Sequence, residues 1–202
     1  MVDIMKAKAY NDFYIVEEVS CENNSLSPFG IMSYYVNVDL NKCDNGSPLS
    51  IGKITSVNKT GFQDFHPRYS VGDIILFDST KSIYHSSENS MLIRNDSIVS
   101  LFDIESFTPI ANSNEVVINV ANSDSLYNLK DGFYGKITDI SMGEYLSDCM
   151  NDIKVDDMIL LVNPYNSYDV PNNEIFKKIS TANGFYVISE CYSIACKIEK
   201  DV

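Results

Sequence analysis

Short apolar runs bounded by turn residues make up most of this chain. The runs are about six residues long, are rich in Ile, Val, Phe and Tyr, and lie between Gly, Asn, Asp and Ser, which is typical of strands. Two of them, residues 74–77 and 158–161, are apolar at successive positions and therefore on both faces of a strand. The pattern predicts an all-β protein of small closed or nearly closed barrels, with one short helix candidate, GEYLSDCM, from Gly143 to Met150.

The same order of segments occurs twice along the chain. Three segments of the first half have counterparts in the second: NDFYIV from Asn11 and NEVVINV from Asn114, GKIT from Gly52 and Gly135, VGDIILF from Val71 and VDDMILL from Val155. The interval from the GKIT glycine to the following valine is 19 residues in one half and 20 in the other. We therefore predict two copies of one small β-domain, residues 1–106 and 107–202, joined by the SFTPIAN segment at 106–112.

Composition supports β structure and fixes the sign of the surface charge. The 202 residues include 22 Ile and 16 Val against 11 Leu and 6 Ala, a balance that favours strands. Acidic residues outnumber basic ones by 28 to 15, so the net charge is −13, divided almost equally between the halves. Because binding to phosphate backbones or anionic lipid relies on Lys and Arg, we expect neither nucleic acid nor membrane partners.

Few residues have the chemistry that enzymes need. His66 and His85 are interpreted as exposed loop residues. Asp156 and Asp157 are interpreted as a solvated turn, because neighbours in a strand point to opposite faces and cannot converge on a metal. Glycine-rich phosphate loops and a GxSxG elbow are missing from the sequence. We therefore expect no enzymatic activity, no metal and no cofactor.

The cysteines and the N-terminal residues bear on the compartment. Five cysteines without a CxxC spacing fit neither a disulfide framework nor a zinc ribbon, so free thiols in a reducing compartment are expected. The N-terminal residues contain no signal-peptide pattern, and no run approaches the length that spans a bilayer. A cytoplasmic location is the expectation.

The repeated segments resemble the GroES co-chaperonin family, also called chaperonin-10. YSVGDIILF, residues 69–77, is similar to the family's VGD strand, and MLIRNDSIVSLFD, residues 91–103, is similar to its closing segment. The second half matches through YGKITDI, IKVDDMILL and FYVISECYSIACKIE. The order and spacing of these segments, found twice, extend the resemblance over about 190 of the 202 residues.

The resemblance implies a tandem of two GroES-like barrels, similar to the double-domain co-chaperonins of chloroplasts. In that family, a mobile loop after the first strand docks an aliphatic tripeptide into a groove on the chaperonin ring. The corresponding loop here is residues 18–50, in which Phe29, Gly30, Ile31 and Met32 occupy the place of the docking step. The implied function is that of a non-enzymatic, homo-oligomeric lid that caps a GroEL-like chaperonin ring and assists protein folding.

The second half departs from the family pattern in three ways. Its equivalent loop, residues 121–132, is short and lacks a Gly-aliphatic step. Asp156 replaces the glycine of VGD, and residues 163–184 form an insertion whose use the sequence does not indicate. Only the first barrel is therefore expected to bind a chaperonin in the family's manner.

Alternatives stay open for the structure of the loop at 18–50 and for the function of the chain. The FGIM step could pack on its own barrel, and MSYYVNV, residues 32–38, could form an added strand instead of a free loop. The low alanine content and the 20 asparagines suit a viral, for instance phage, copy whose barrels contact neighbouring structural subunits of a virion without any chaperonin. A zinc alcohol dehydrogenase, which shares the barrel, would need Cys/His ligands and a dinucleotide domain that this chain lacks.

Overall fold

The computed structural model describes residues 8–19, 33–34, 47–58, 68–85, 90–121, 132–165, 175–181 and 183–198. These residues form fourteen antiparallel β-strands and one α-helix of six residues, which confirms the all-β prediction. The strands are β1 Phe13–Glu18, β2 Ser33–Tyr34, β3 Ser47–Val57, β4 Ile74–Asp78, β5 Tyr84–His85, β6 Ser90–Arg94, β7 Ile98–Asp103, β8 Thr108–Ile110, β9 Glu115–Val120, β10 Phe133–Ile140, β11 Met158–Leu161, β12 Lys177–Thr181, β13 Gly184–Glu190 and β14 Ile194–Ile198.

The helix, α1, runs over Glu144–Cys149 with Gly143 as its N-cap residue, where the sequence predicts it. Its partly buried Leu146 packs against the apolar core of the second half, while Tyr145 on the other side is exposed. A helix this short gains little from its own hydrogen bonds, so the packing of Leu146 is what holds it in place.

The two halves of the chain form the same six-strand ladder. Hydrogen-bonded neighbours follow the order β5–β6–β1–β3–β4–β7 in the first half and β12–β13–β9–β10–β11–β14 in the second. Both ladders contain a bulge at the same step, with Thr55 and Thr138 as the extra residues. Each threonine hydroxyl donates to a carbonyl on the neighbouring strand, that of Ile15 at 3.2 Å and that of Val117 at 3.3 Å. The repeat in the sequence is therefore a repeat of strand order and of local irregularities.

The turns that precede β4 and β11 are built alike although their residues differ. Gly72 and Asp156 both have a positive φ, +100° and +77°, and both N–H groups donate to the carbonyl of a GKIT isoleucine, Ile54 at 2.8 Å and Ile137 at 2.9 Å. Aspartate tolerates the left-handed region better than most residues, so it can replace the glycine there. The interpretation of Asp156 and Asp157 as a solvated turn is confirmed.

Buried apolar side chains form three clusters. One fills the first half around Tyr14, Ile54, Phe77 and Ile93, and another fills the second half around Ile118, Phe133 and Leu161. The third lies between the halves and draws on both of them: Leu49, Ile51, Leu76, Val99, Phe102, Phe107, Ala111, Val117, Ile179, Tyr186 and Ile188. The two-sided apolar run of β4 is explained by this layer, because Phe77 faces its own half and Leu76 faces the other half.

Two short strands join the ladders. The predicted connector at 106–112 contains β8, which pairs with β7, and Pro109 is tolerated there because β8 lies at the edge of its sheet. The other short strand, β2, pairs with β3 on one side and β12 on the other, so it bridges the two halves.

The prediction of a continuous loop over 18–50 is wrong at both ends and at one internal point. Glu18 ends β1 and residues 47–50 begin β3, and both stretches pair with neighbouring strands. Ser33–Tyr34 forms β2, as the added-strand alternative expects for this part of the segment. The described parts of 18–50 thus belong largely to the sheets.

A polar cluster also ties the halves together. The carboxylate of Glu115, which is 2% exposed, accepts from the Arg68 guanidinium at 2.8 Å and from the Lys177 ammonium at 3.3 Å. Lys177 donates in addition to the carbonyl of Val99 at 2.9 Å, and the N–H of Asn112 donates to the other Glu115 oxygen at 3.1 Å. Arg68 and Val99 belong to the first half, whereas Glu115 and Lys177 belong to the second. The cluster therefore fixes the position of one half relative to the other.

Candidate interaction surface

The residues that the family resemblance indicates for chaperonin binding, Phe29, Gly30, Ile31 and Met32, lie outside the described residues. The described chain resumes at Ser33, the first residue of β2. Because β2 bridges β3 and β12, the residue that follows the FGIM step is held at the junction of the two halves. The described residues therefore locate only Ser33, the residue that follows this step.

The outer face of β3, β4 and β7 in the first half is covered by the second half. We call its central row, Ile51, Leu76 and Ser100, the first-half face; these residues lie side by side across the three strands and are at most 5% exposed. The surface that covers this face comes from other strands of the second half and from the connector: Phe107, Ala111, Val117, Ile179, Tyr186 and Ile188.

The matching row of the second half has no such cover among the described residues. Tyr134, Leu160 and Cys196 lie side by side on β10, β11 and β14, in the positions of the first-half face, and we call them the second-half face. Tyr134 is 51% exposed, Cys196 is exposed and Leu160 is half-buried. Next to this row, Met158 is half-buried and Ile198 is 37% exposed. One of two equivalent sheet faces is thus buried and the other is open.

A charged pair flanks the second-half face. Lys136, which lies on the same face of β10 as Tyr134, forms an exposed ion pair with Asp156 at 2.6 Å. Lys197 points to the opposite face of β14 from Cys196 and pairs with Asp157 at 2.9 Å, and this hydrogen bond holds the pKa of the Asp157 carboxyl below its usual value. An exposed pair such as Lys136–Asp156 stabilises the fold little. Its position beside an apolar row matches the anatomy of protein interfaces, in which polar groups surround an apolar patch.

The thiols differ in their surroundings, which provides a probe of this surface. Cys149, Cys191 and Cys196 are all free, as predicted, whereas Cys21 and Cys43 lie outside the described residues. Burial raises the pKa of Cys191 to about 12, so this thiol is chemically quiet at neutral pH. Cys196 lies in the second-half face and Cys149 lies on α1, and both are exposed. Their relative reactivity should report whether the face is covered.

Catalytic and metal-binding groups are sparse in the described part of the chain. No group of three or more His, Cys, Asp or Glu side chains there is arranged to hold a metal ion. Asp156 and Asp157 pair with different lysines, Lys136 and Lys197, and so do not act together. Of the two histidines, His85 lies at the end of β5 and His66 is outside the described ranges.

Sequence reasoning missed the second-half face, because Leu76 and Leu160 occupy the same place in the repeat and are preceded by the same kind of apolar run. One signal was present. The aligned row changes from Ile, Leu and Ser to Tyr, Leu and Cys, and tyrosine with its polar tip is a residue that proteins favour at interfaces.

No described helix has the length and apolar character that crossing a membrane requires. No protein-family model matches the chain, and no curated protein matches it either.

Proposed function

We propose that this chain is a subunit of a co-chaperonin-like lid. It consists of two GroES-like barrels, joins further copies head to tail, and presents the FGIM step, residues 29–32, to a chaperonin ring in the cytoplasm. The observation that carries the proposal is the open second-half face, whose counterpart in the first half is covered by the other half of the chain.

Chain connectivity supports closure of each ladder into a barrel. Arg94 at the end of β6 and Ile98 at the start of β7 are four residues apart, and so can be separated by at most about 14 Å. In a flat sheet, the four ladder steps from β6 to β7 would separate these strands by about 19 Å. The same holds for Glu190 and Ile194 in the second half. Each sheet must therefore curl around its own apolar cluster.

The contact between the halves supports assembly, because it is heterologous. It joins the β3–β4–β7 face of one unit to the β9–β12–β13 face of the next, and these are different faces of equivalent ladders. A heterologous contact leaves one unused partner surface at each end of the pair, and repetition of that contact gives a ring or a filament. A second copy would therefore cover the second-half face.

In the first half, β1, β5 and β6 correspond to β9, β12 and β13, the strands that cover the first-half face. A second copy would cover the second-half face with its own β1, β5 and β6. Ile15 and Leu92 stand opposite each other on β1 and β6, as Val117 and Ile188 do on β9 and β13. Leu92 is half-buried and Ile15 is already buried, so Leu92 is the residue of this pair that is still available for contact.

Assembly is tested by a charge placed in the second-half face. Leu160→Asp should convert the protein from an oligomer into single chains in native mass spectrometry, because a desolvated carboxylate without a partner is unfavourable in an apolar contact. Tyr145→Asp, which adds the same charge to the exposed side of α1, should leave the mass unchanged.

Alkylation provides a second readout of the same contact. In the wild-type oligomer, Cys196 should react at least about ten-fold more slowly than Cys149, and Leu160→Asp should remove that difference. A wild-type protein that stays a single chain, with both thiols equally reactive, would contradict the proposed assembly.

Chaperonin binding is tested by a pull-down with a bacterial GroEL-like ring in the presence of nucleotide. Wild-type protein should be retained, and the double variant Ile31→Asp, Met32→Asp should be lost, because two carboxylates cannot be buried in an apolar groove. The matched control, Ser25→Asp with Ser27→Asp, adds the same charge to polar positions nearby and should bind like the wild type.

The virion-component alternative predicts another pair of results. Heterologous contacts also build larger shells, so the second-half face suits both functions. If the oligomer forms, but the wild type and the Ile31/Met32 double variant are equally absent from the chaperonin pull-down, the lid function is wrong and a structural role becomes the better explanation.

A further inference from the structure

A cavity of about 320 Å³ lies at the junction of the halves, away from the second-half face. Arg68 from the turn before β4 contributes one wall, and the remaining lining comes from the second half, with Glu115, Lys177, Glu190 and Tyr192 among it. The volume falls at the lower end of the range of small-molecule sites in proteins. Its walls combine charged, aromatic and aliphatic groups.

At the floor of the cavity two cations meet one carboxylate, and a second carboxylate, that of Glu190, lines another part of it. Arg68 and Lys177 share a single oxygen of Glu115, and the other Glu115 oxygen is occupied by the N–H of Asn112. Two cations therefore face one carboxylate at a site where Glu115 is almost fully buried. Burial lowers the pKa of Lys177, and the charges of Glu115 and Glu190 oppose that shift. A ligand anion at the floor would act in the same direction as these carboxylates, next to two cations that share one oxygen of Glu115.

Arg68 and Lys177 have hydrogen-bond donors that their described contacts do not use, and a ligand anion could accept from them. Of the five N–H donors of a guanidinium, the described contacts of Arg68 use one. The ammonium of Lys177 has three donors, of which the carbonyl of Val99 and the carboxylate of Glu115 use two. The two parallel N–H groups of a guanidinium match the two oxygens of a carboxylate. A carboxylate is therefore the anionic group that suits a ligand of this cavity.

The rest of the lining fits an apolar body. Ile175 and Ile188 line one part, and the rings of Tyr165 and Tyr192 meet edge to face, with centroids 5.8 Å apart, in another. Burial raises the pKa of the Tyr192 hydroxyl, and its hydrogen bonds with Tyr165 and Glu190 act in the same direction, so this phenol keeps its proton at neutral pH. An uncharged aromatic wall thus faces two aliphatic side chains.

We propose that this junction cavity binds a small organic carboxylate. The carboxylate accepts hydrogen bonds from Arg68 and Lys177, and its apolar body lies between the isoleucines and the tyrosine pair. Because Arg68 belongs to the first half and Lys177 to the second, the bound ligand holds the halves together. This site is separate from the lid proposal, since it uses neither the FGIM step nor the second-half face.

Titration with phenylacetate, followed by NMR and calorimetry, tests the site. We expect a dissociation constant on the order of 1 mM and a melting temperature that rises with ligand concentration. Phenylacetamide, which has the same shape without the charge, should bind at least about ten-fold more weakly. Phenylalanine separates two sources of the carboxylate: binding as tight as that of phenylacetate would identify amino acids as ligands, because Glu190 can take the ammonium group.

Two charge-matched variants locate the binding. Arg68→Gln should weaken phenylacetate binding at least about ten-fold, whereas Arg94→Gln, which removes an exposed guanidinium paired with Asp12, should leave it unchanged. Tyr165→Ala, at the rim, supplies a second variant that keeps the floor cluster intact and should also weaken binding. Equal affinity for phenylacetamide, wild-type affinity in Arg68→Gln, or no binding at about 20 mM phenylacetate would overturn the proposal.

Discussion

Replacement of Lys178 by methionine is expected to raise the free energy of unfolding by about 3 kcal/mol near neutral pH. The Lys178 side chain is 1% exposed, and its ammonium has no hydrogen-bond partner in the described structure. The ammonium charge is partly stabilised by the ring of Phe133, whose centroid lies 5.6 Å from Lys178 Nζ. Burial lowers the pKa of Lys178 from 10.5 to about 8, so below that pH the fold holds a charge that water would solvate better.

The way in which the stability gain of Lys178→Met depends on pH identifies the buried charge as its cause. Between about pH 8 and pH 10.5 the unfolded chain keeps a proton on Lys178 that the folded chain has lost, so the stability of the wild type rises with pH in this window. The advantage of Lys178→Met should therefore be complete below about pH 8 and shrink towards pH 10.5. Urea unfolding at both ends of the window measures this difference.

Lys53→Met provides the control, because Lys53 is exposed on β3 in the first half and should change stability by less than about 0.5 kcal/mol at any pH. Destabilisation by Lys178→Met, or a gain of the same size at both ends of the pH window, would show that the buried charge is not what limits stability here.

Glu115→Gln is expected to lower the free energy of unfolding by about 3 kcal/mol. The substitution keeps the shape of the side chain but removes the carboxylate that, alone among the described ones, contacts both Arg68 and Lys177. Lys177 would then stay at the junction with the Val99 carbonyl as its remaining described partner, and its pKa, already lowered by burial, should fall further. Chemical unfolding at neutral pH measures the loss.

Two further variants test this explanation. One compares the buried cluster with an exposed ion pair, and the other removes Lys177 from the cluster. Asp12→Asn breaks the exposed pair with Arg94 and should lower stability by less than about 1 kcal/mol. Glu115→Gln combined with Lys177→Met should recover part of the loss, because it removes the stranded cation. If the double variant is less stable than Glu115→Gln alone, the loss does not come from the uncompensated charge of Lys177.

Sequence patterns predict local structure well in this chain, because each signal depends on neighbours along the backbone. The GKIT segments and the VGD and VDD turns mark equivalent strands, and Asp156 has the positive φ that its alignment with Gly72 requires. Helix α1 follows from a local signal of the same kind.

Contacts between the halves could not be predicted in this way. Arg68 and Lys177 lie 47 and 62 residues from Glu115, and nothing in their neighbourhoods marks them as partners. The apolar run at β11 likewise predicts a strand that is apolar on both faces, but only the fold reveals that the face with Leu160 is open. The FGIM step, on which the family resemblance depends for function, lies outside the described residues.

The connector strand β8 has a consequence for the parity of any assembly. It pairs with β7 and leads directly into β9, so one junction between units forms whenever a chain folds, at any concentration. The junction between chains depends on concentration, so dilution should release whole chains and never single units. Every closed ring then contains an even number of units, of which every second one carries an FGIM-bearing segment. Because the number of segments equals the number of chains, a lid of this kind matches one segment to every site of a partner ring only when it contains twice as many units as that ring has sites.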